Sequence, residues 1–463
     1  MVVYDRLVSP AILALMPEGA VKINVGKEAS RHPVPQEQIN RILLEQAQQG
    51  HNVVRLKGGD PFLFGRGGEE LELLAEPRIP FEEVPGITSA IAAPAYGGIP
   101  VTHRDCCSSL HIVTGHQRAG KELDIDFDAL VATKGTLVFL MGVSALPQIC
   151  EGLLKAGMDP DTPAAIVERG TTPAQRRISA TLSTLAQVAQ DHQVVSPAIS
   201  VVGGVCALAD SFDWFDALPL KGRAFVVTRP AARKGTLAQG LRELGAKVWE
   251  YPCIHTTPIT PCPPLTAALE RLGDYQWIAF TSPVGVQVFF DALNAQGKDS
   301  RALSGVKLAA IGPGTATALK KYGLKADYVP SVYSAQDLGQ GIPATGTVLL
   351  PRAQEGSPLL TQALTQRGIP YEELAVYTTH YDNPRSPELR EALEAGELSY
   401  VTFTSASTVK GFVASVGEDA PLGKITGLCI GAQTAQEAQR HGIPVLIAEE
   451  ATIPGLLRLA QTL

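Results

Sequence analysis

Residues 53–70 read VVRLKGGDPFLFGRGGEE, and this stretch decides the fold of the N-terminal half. Val53, Val54 and Leu56 predict a buried strand that runs directly into the turn Gly58-Gly59-Asp60-Pro61. In parallel α/β sheets, ligands bind at the carboxyl ends of the strands. The glycine turn is therefore a candidate binding site, and the strand predicts an α/β fold.

A helix is predicted immediately before this strand. Apolar residues at Ile39, Ile42, Leu43 and Ala47 share one helical face, and Gly50 is a predicted left-handed cap. The same alternation of short apolar runs with helical patterns continues along most of the chain and is typical of parallel α/β folds.

Composition narrows the classes of function. The chain has 463 residues, 45% of them hydrophobic and 18% charged, which excludes bulk disorder. Its net charge of −7 disfavours a nucleic-acid or anionic-membrane partner. The seven cysteines are odd in number and lack CxxC spacing, so we expect reduced thiols, no metal site and a cytoplasmic protein. No signal peptide and no apolar run of about 18 residues is recognised.

An internal repeat follows Gly222. WIAFTSPVGVQVFF (277–290) matches YVTFTSASTVKGFV (400–413), and AAIGPGTATALKKYG (309–323) matches LCIGAQTAQEAQRHG (428–442). The repeat predicts two α/β lobes, each with a Thr-Ser strand end and a Gly-x-x-Thr-Ala helix start. Helix N-termini favour carboxylates, so a cleft between the lobes would suit a polyanionic ligand.

The N-terminal half, residues 1–213, resembles the uroporphyrinogen-III C-methyltransferases of the tetrapyrrole methylase class. The resemblance rests on VVYDRLVSPAIL, VGKEASRHPVPQEQIN, VVRLKGGDPFLFGRGGEE, VPGITSAIAAPAYGGIPVTHR and AAIVERGTTPAQR, which occur in family order. It implies a class III methyltransferase fold, a homodimer, and methylation of uroporphyrinogen III to precorrin-2 with S-adenosyl-L-methionine. Such a product leads to siroheme or cobalamin.

The resemblance also implies site residues. Asp5 matches the acidic catalytic residue and Lys27 the proton donor, and Phe64 is a candidate substrate contact. The positions that match the cofactor site are Gly58, Gly59, Asp60, Leu63, Thr88, Ser89, Met141 and Gly170. Candidate carboxylate partners are Arg66, His103 and Arg104.

Each of these residues also has a structural interpretation. Asp5 can end a strand, Gly58-Gly59 can form a tight turn, and Thr88-Ser89 can cap a helix. Met141 can fill a core and Lys27 can lie on the surface.

One departure from the family pattern concerns the start of the sequence. The family has a strand, a Gly-x-Gly-x-Gly-Asp-Pro loop and a helix ahead of the Tyr-Asp-Arg-Leu stretch, whereas this sequence opens at Met1-Val2-Val3-Tyr4-Asp5. We expect a cofactor pocket enclosed on one side only, and hence weak binding of S-adenosylmethionine, unless the natural start lies upstream.

Residues 222–463 resemble uroporphyrinogen-III synthase, through the repeat, VYTT and the closing ATIPGLL. The resemblance implies that hydroxymethylbilane is cyclised to uroporphyrinogen III with inversion of its last pyrrole. By analogy, lobe one is 222–256 plus 381–463 and lobe two is 257–380. A linker, 214–221, joins the halves, and Trp214 and Phe215 are predicted to dock it onto a flanking domain.

The synthase resemblance assigns Tyr377 to assisting the departure of the hydroxyl group. Candidate substrate-binding residues are Thr281, Ser282, Thr315, Thr404, Ser405 and Thr434. In the structural alternative these Thr and Ser residues are ordinary helix caps and Tyr377 is a core residue.

The leading hypothesis is a bifunctional enzyme that makes uroporphyrinogen III and then methylates it. One alternative is a synthase with an inactive methylase remnant. Others are a two-lobed solute-binding module, disfavoured by the attached methylase, and a nucleic-acid methyltransferase, disfavoured by the acidic charge.

Overall fold

The structure is a computed structural model that describes residues 1–13, 15–17, 19–26, 34–115, 123–229, 236–381 and 386–463. It divides the chain into two units, Met1–Ala217 and Leu218–Leu463. Both units combine β-sheets with helices, as the sequence predicts. Lys27 lies outside the described residues.

The first unit opens with a small parallel sheet of three strands. Strand β1 (Val2–Tyr4) lies between β2 (Lys22–Asn24) and β3 (Val54–Leu56). Helix α2 (Gln36–Gln48) covers this sheet, and its buried Ile39 and Leu43 pack with Val3 and Val25. The predicted helix is confirmed, and so is its left-handed cap, because Gly50 has φ +80°.

The predicted burial of strand β3 is wrong. Val54 is 54% exposed, and Leu56 is only partly buried. Within the described residues β3 is an edge strand that pairs with β1 alone, so part of its surface faces solvent although Val54 and Leu56 are apolar.

A second sheet in the first unit has five strands in the order β4-β5-β8-β6-β7. Only β4 and β5 are parallel, and the other three pairs are antiparallel. The prediction of parallel sheets is wrong here, since the short connection between β6 and β7 leaves no room for a crossover helix. The strands are β4 (Leu110–Thr114), β5 (Thr136–Leu140), β6 (Pro163–Glu168), β7 (Arg176–Thr181) and β8 (Ala198–Val202).

Among the residues that the structure describes, six further helices belong to this unit. They are α1 (Pro10–Leu13), α3 (Gly67–Ala75), α4 (Ser89–Tyr96), α5 (Phe127–Ala132), α6 (Leu146–Lys155) and α7 (Leu185–Asp191). Helix α4 also anchors the predicted linker. Trp214 and Phe215 each pack against Tyr96 at a centroid distance of 4.8 Å, and Trp214 Nε1 donates to Ala95 O at 3.0 Å. The predicted docking of these aromatic residues onto a flanking domain is thus confirmed.

The second unit contains two five-stranded sheets. The first has the order β10-β9-β16-β17-β18 and is entirely parallel. Its strands are β9 (Ala224–Val227), β10 (Lys247–Glu250), β16 (Tyr400–Phe403), β17 (Thr426–Cys429) and β18 (Val445–Ile447). The second has the order β11-β15-β14-β12-β13, with only β11 antiparallel to its neighbour. Its strands are β11 (Ile254–Pro258), β12 (Trp277–Phe280), β13 (Lys307–Ala310), β14 (Val348–Ala353) and β15 (Tyr371–Tyr381).

Helices and short 3₁₀ turns complete the chain. The helices of the second unit are α8 (Thr236–Glu243), α9 (Pro263–Glu270), α10 (Pro283–Ala295), α11 (Pro313–Lys320), α12 (Ala335–Gly341), α13 (Leu359–Gln366), α14 (Pro387–Glu394), α15 (Ala406–Val416), α16 (Ala432–Arg440) and α17 (Ile453–Gln461). The 3₁₀ turns are Gly204–Leu208, Leu272–Asp274, Ser300–Leu303 and Leu422–Lys424.

The sequence repeat is also a structural repeat. In both sheets a strand with the Phe-Thr-Ser ending leads into a long helix, α10 or α15, and the next strand leads into α11 or α16. Gly323 and Gly442 follow the matching helices with φ +76° and +75°. The prediction of two similar lobes is confirmed.

Candidate functional site

The first candidate site lies at the carboxyl ends of β1 and β3. Asp5 directly follows β1, and its Oδ1 accepts a hydrogen bond from Arg55 Nη2 at 2.7 Å. The Arg55 side chain is 13% exposed and that of Asp5 is 32% exposed. Asp5 is therefore reachable from solvent, whereas the arginine that holds it is largely buried.

The glycine turn after β3 is organised by Asp60. Its Oδ1 accepts from the backbone N–H groups of Phe62 at 2.9 Å and Leu63 at 3.0 Å, and Oδ2 accepts from Gly86 at 3.0 Å. These bonds, that from Gly86 above all, hold the pKa of the Asp60 carboxyl below its usual value. Both carboxylate oxygens thus bind the chain itself, so Asp60 would serve a cofactor by shaping the loop around it.

Gly59 and Gly86 bring two loops together at backbone distance. A Cβ atom on Gly86 would collide with the carbonyl oxygen of Gly59, which has φ +119°. The second loop leads to Thr88, the N-cap of α4, whose Oγ1 accepts from Ala90 N at 3.2 Å. Thr88 therefore caps α4 as predicted, and it follows two residues after Gly86, which contacts the glycine turn.

Gly170 adds a third loop, which packs on helix α4. A Cβ atom at Gly170 would lie 2.5 Å from the Cβ of Ala93. The loop is held by Gln175, which accepts from Thr171 N at 2.8 Å and donates to Tyr96 O at 3.0 Å. Asp60 thus joins the loops that carry Gly58, Gly59, Leu63 and Thr88, whereas Gly170 lies on a third loop that contacts the middle of α4.

Non-glycine residues with left-handed backbone cluster in the loops of this region. Of the eight such residues in the described ranges, five follow β3, β5 or β6. They are Phe64, Arg66, Met141, Arg169 and Thr171. Such conformations each cost about 1–3 kcal/mol and concentrate at functional sites. Phe64 and Met141 are also 41% and 49% exposed, so Met141 does not fill a core.

The remaining predicted residues of this half lie on the surface. Ser89 and Arg104 are exposed, and His103 lies 3.9 Å from an oxygen of Asp105. Arg66 Nε donates to Glu69 Oε1 at 2.8 Å, an exposed pair within one helical turn. No contact places these four residues against the glycine turn, and their roles stay predictions.

The second candidate site lies at the carboxyl end of β12, beside the part of β15 that is level with the end of β14. Tyr377 Oη lies 2.9 Å from Ser282 Oγ, and Ser282 Oγ accepts from Gly285 N at 3.0 Å as the N-cap of α10. Tyr377 is 7% exposed, and Thr281 precedes Ser282 at the strand end. Two of the predicted residues, 95 positions apart, are thus in direct contact.

The matching strand end in the other sheet carries Thr404 and Ser405. Ser405 caps α15 in a capping box: its Oγ accepts from Thr408 N at 3.3 Å, and Thr408 Oγ1 accepts from Ser405 N at 3.2 Å. Ser405 Oγ also lies 2.8 Å from Ser407 Oγ.

Thr315 and Thr434 are not helix caps. The N-caps of α11 and α16 are Gly312 and Gly431, and the two threonines are 3% and 5% exposed inside the first helical turn. The cap interpretation is wrong because each helix starts directly after the glycine that follows the strand, which turns the threonine inward. Gly312 is buried as well, whereas Gly314 in the first turn of α11 and Gly431 are at least partly exposed, so backbone in these first turns is more accessible to a ligand than either hydroxyl.

Two groups of functional interest escaped the sequence analysis. Arg352, at the end of β14, is 3% exposed and donates to Ser357 O at 2.7 Å, while its Nε lies 3.1 Å from Glu373. The stretch VLLPRA (348–353) that carries it resembles VVTRP (226–230), which carries Arg229, and this recurrence was a usable signal. Arg55 and Glu70 form a buried ion pair at 3.1 Å. The sequence signal for this pair was two charged residues within an otherwise apolar or glycine-rich stretch.

The described residues place further bounds on the chemistry. None of the seven cysteines is paired in a disulfide, and their reduced state stays a prediction. Within the described ranges, no three His, Cys, Asp or Glu side chains are grouped so as to hold a metal ion. None of the helices in the same ranges has the length and hydropathy needed to cross a membrane.

Comparison with known proteins defines two classes of α/β enzyme in this chain. Residues 1–186 match the model of the Tetrapyrrole (Corrin/Porphyrin) Methylases, and residues 235–458 match that of Uroporphyrinogen-III synthase HemD. The Porphyrin biosynthesis protein HemD of Ruminiclostridium josui is 49% identical over 460 residues, which are 98% of this chain and 91% of the relative. The chain belongs to this family of fused tetrapyrrole methylase and uroporphyrinogen-III synthase proteins.

Other similar proteins match one half. Siroheme synthase 2 of Yersinia enterocolitica is 54% identical over 216 residues, covering 47% of this chain and 45% of the relative. A solved structure of uroporphyrin-III C-methyl transferase from Thermus thermophilus, complexed with S-adenyl homocysteine, is 40% identical. It covers 45% of this chain and 86% of the solved chain, with a TM-score of 0.38.

Proposed function

We propose that this chain catalyses two consecutive reactions: cyclisation of hydroxymethylbilane to uroporphyrinogen III, and methylation of that product to precorrin-2. The observation that carries the proposal is the presence of both enzyme families in one chain, matched over 98% of its length by a fused relative. The geometry of the two candidate sites supports a role for each half.

In the synthase half, the Tyr377–Ser282 pair is suited to assist the departure of the hydroxyl group. Ser282 Oγ accepts from Gly285 N, so its own hydrogen can be donated to Tyr377 Oη. The tyrosine hydrogen is then directed toward the leaving hydroxyl, to which it is donated as the bond breaks. Thr281, Thr404, Ser405 and the backbone around Thr315 and Thr434 hold the substrate's carboxylates, which keeps the linear chain folded for closure with inversion.

In the methylase half, the residues at the glycine turn fit S-adenosylmethionine. The Gly59–Gly86 approach leaves backbone without side chains at the strand ends, where a flat ligand can lie against peptide groups. Residues that would hold it are Gly58, Gly59, Asp60, Leu63, Thr88, Ser89, Met141 and Gly170. When bound, S-adenosylmethionine supplies an electrophilic methyl group on a sulfonium that leaves as a neutral thioether.

The chain's own residues then orient the macrocycle and remove a proton from it. Asp5 accepts that proton through a carboxylate whose Oδ1 is already fixed by Arg55 at 2.7 Å. Phe64, which is 41% exposed, provides an apolar wall beside the ring, and Lys27 returns a proton. Arg66, His103 and Arg104 pair with ring carboxylates.

We further propose a cytoplasmic homodimer that contacts neither nucleic acid nor membrane. Support for the dimer comes from an apolar segment ahead of and within α4, where Phe81, Val84, Ile87 and Ile91 are 50%, 71%, 80% and 47% exposed. Contiguous exposed apolar side chains mark interaction surfaces. The methylase resemblance makes a second copy of this chain the partner.

The test is turnover by the full chain. Hydroxymethylbilane is supplied with and without S-adenosylmethionine, and the products are separated by isomer and by methyl content. We expect the type III isomer in both reactions and precorrin-2 only with S-adenosylmethionine. Type III product without any methylation would favour the alternative, a synthase with an inactive methylase remnant.

A further inference from the structure

A network of four charges, three of them largely buried, lies beneath the first candidate site. Glu70, in the first turn of α3, is 3% exposed, and its Oε1 accepts from Arg55 Nε at 3.1 Å and from Lys57 Nζ at 2.8 Å. Gln36 Nε2 of α2 donates to the same oxygen at 3.1 Å. Arg55 Nη2 in turn donates to Asp5 at 2.7 Å. The network therefore contains two carboxylates and two cations, which balance each other's charge.

The arginine connects the two carboxylates through different edges of one rigid group. The guanidinium is planar, so fixing Nε on Glu70 also fixes the direction in which Nη2 points. Arg55 Nη1 additionally donates to Leu56 O at 3.2 Å and Val3 O at 3.4 Å, which ties the same plane to β3 and β1. The position of Asp5 Oδ1 is thereby set by a residue 65 positions away along the chain.

The network also spans the glycine turn. Lys57 immediately precedes Gly58, while Glu70 lies in the helix that follows the turn, so their ion pair joins its two ends. With side chains 9% and 4% exposed, neither charge is available to a ligand in solution. Buried ion pairs are weak evidence for stability as such, because apolar residues of similar volume often stabilise as well.

We propose that Glu70 is a positioning residue for methyl transfer: acting through Arg55, it aligns the Asp5 carboxylate with the glycine turn that receives the methyl donor. This inference rests on the proposed methylase function. Glu70 touches no substrate in this proposal, since it reaches Asp5 through the guanidinium of Arg55 and the glycine turn through Lys57. A misplacement of about 1 Å can cost roughly 10²-fold in rate, which sets the expected effect.

The experiment is a rate cycle in the full chain with Glu70→Gln, Asp5→Asn and the double variant, using labelled methyl groups for sensitivity. We expect Glu70→Gln to lower kcat for methylation by about 10²-fold, and to add almost nothing in the Asp5→Asn background. A merely structural role would reduce the rate by the same factor in both backgrounds, and that result would overturn the proposal. The synthase activity of the same samples measures the amount of chain present, and thermal melting shows whether the first unit of each variant is folded.

Two further variants keep the proposal open to refutation. Glu72→Gln makes the same chemical change at an exposed position of α3 and should leave both activities unchanged. Arg55→Lys keeps the buried positive charge but cannot contact both carboxylates at once. It should therefore lower the methylation rate as much as Glu70→Gln is expected to, and it provides the test if Glu70→Gln folds poorly. Normal methylation by Arg55→Lys would contradict the proposal. An unmutated chain that transfers no methyl group would overturn the proposed function together with this inference, whereas an active chain with multiplicative losses would overturn the inference alone.

Discussion

Tyr377 Oη lies 2.9 Å from Ser282 Oγ, although Tyr377 lies within β15 and Ser282 follows β12, two strands that are separated by β14. Ser282 is held in turn by the N–H of Gly285 at the start of α10. The pair thus couples a buried tyrosine to a helix N-terminus, where the backbone carries partial positive charge.

Replacing Tyr377 by Phe should slow the synthase reaction by about 10²–10⁴-fold, the usual range for a general acid. The ring stays in its core cluster, so the thermal melting temperature should change little. Ser282→Ala should give a smaller loss, because the tyrosine keeps its proton but loses its orienting partner. Formation of the type III isomer measures both effects, and unchanged turnover in Tyr377→Phe would remove the tyrosine from the mechanism.

The helix starts can be tested for carboxylate binding without disturbing the core. Gly314, in the first turn of α11, is exposed and has no atom within 4 Å of a Cβ placed on it. Gly314→Glu should stabilise the helix slightly through its dipole, yet repel the substrate. A repulsion of about 1 kcal/mol corresponds to a roughly fivefold higher KM for hydroxymethylbilane.

The matched control for this variant is Pro264→Glu, at the equivalent exposed position of α9. It adds the same charge at a helix start that carries no predicted ligand. Equal KM values for the two variants would show that the start of α11 does not face the substrate.

The apolar segment of the first unit makes a prediction about assembly. Ile87→Glu places a charge on a side chain that is 80% exposed in the isolated chain, so the fold should tolerate it. If a second copy covers this surface, the variant should sediment as a monomer at concentrations where the unmutated chain is a dimer. Thr256→Glu, on the second unit, is the control and should leave the sedimentation coefficient unchanged. A dimer that persists in Ile87→Glu would place the interface elsewhere.

The sequence predicted those features that depend on local pattern or on repetition. Helix α2 was predictable because its apolar periodicity places Ile39 and Leu43 on one face. The Phe-Thr-Ser repeat identified the ends of β12 and β16. Exposure of Val54 was not predictable, because it depends on which strands flank β3 in the finished sheet. The contact between Glu70 and Asp5 through Arg55 was equally hidden, since it joins three elements distant in sequence.

The burial of Thr315 and Thr434 shows a second limit. The Gly-x-x-Thr-Ala motif identified the helix start correctly, but the residue that caps it is the glycine. Which way the third helical residue turns depends on how the helix is rotated over its sheet, and that rotation is set by tertiary packing. For this motif we therefore expect the backbone N–H groups of the helix start, and not the threonine hydroxyl, to contact a ligand.

Asp60 should make the stability of the first unit depend on pH in acid. Its folded-state pKa lies below the ordinary value of 3.8, mainly because Gly86 N–H binds the charged form. A depressed pKa contributes stability that is complete above 3.8 and is lost as the pH falls through the folded value. The melting temperature of Asp60→Asn should therefore be lower than that of the unmutated chain at neutral pH, and the gap should narrow below pH 3.8. A gap that stays constant on acidification would show that the carboxylate charge is not what holds the loop.

Gly170 offers a test in which damage and repair are both predicted. A Cβ atom there would lie 2.5 Å from the Cβ of Ala93, and real Cβ atoms do not approach so closely. Gly170→Ala should therefore push α4 away from the loop that follows β6, at a cost of about 1–3 kcal/mol in the free energy of unfolding. Because α4 begins at the Thr88 cap beside the glycine turn, binding of S-adenosylmethionine should weaken as well.

Ala93→Gly removes the opposing methyl group, so the double variant should recover much of both losses despite the glycine now placed inside a helix. Calorimetric titration with S-adenosylmethionine and thermal melting of the three variants provide the measurement. Recovery of the melting temperature without recovery of binding would mean that the Gly170 loop supports the fold but does not border the cofactor.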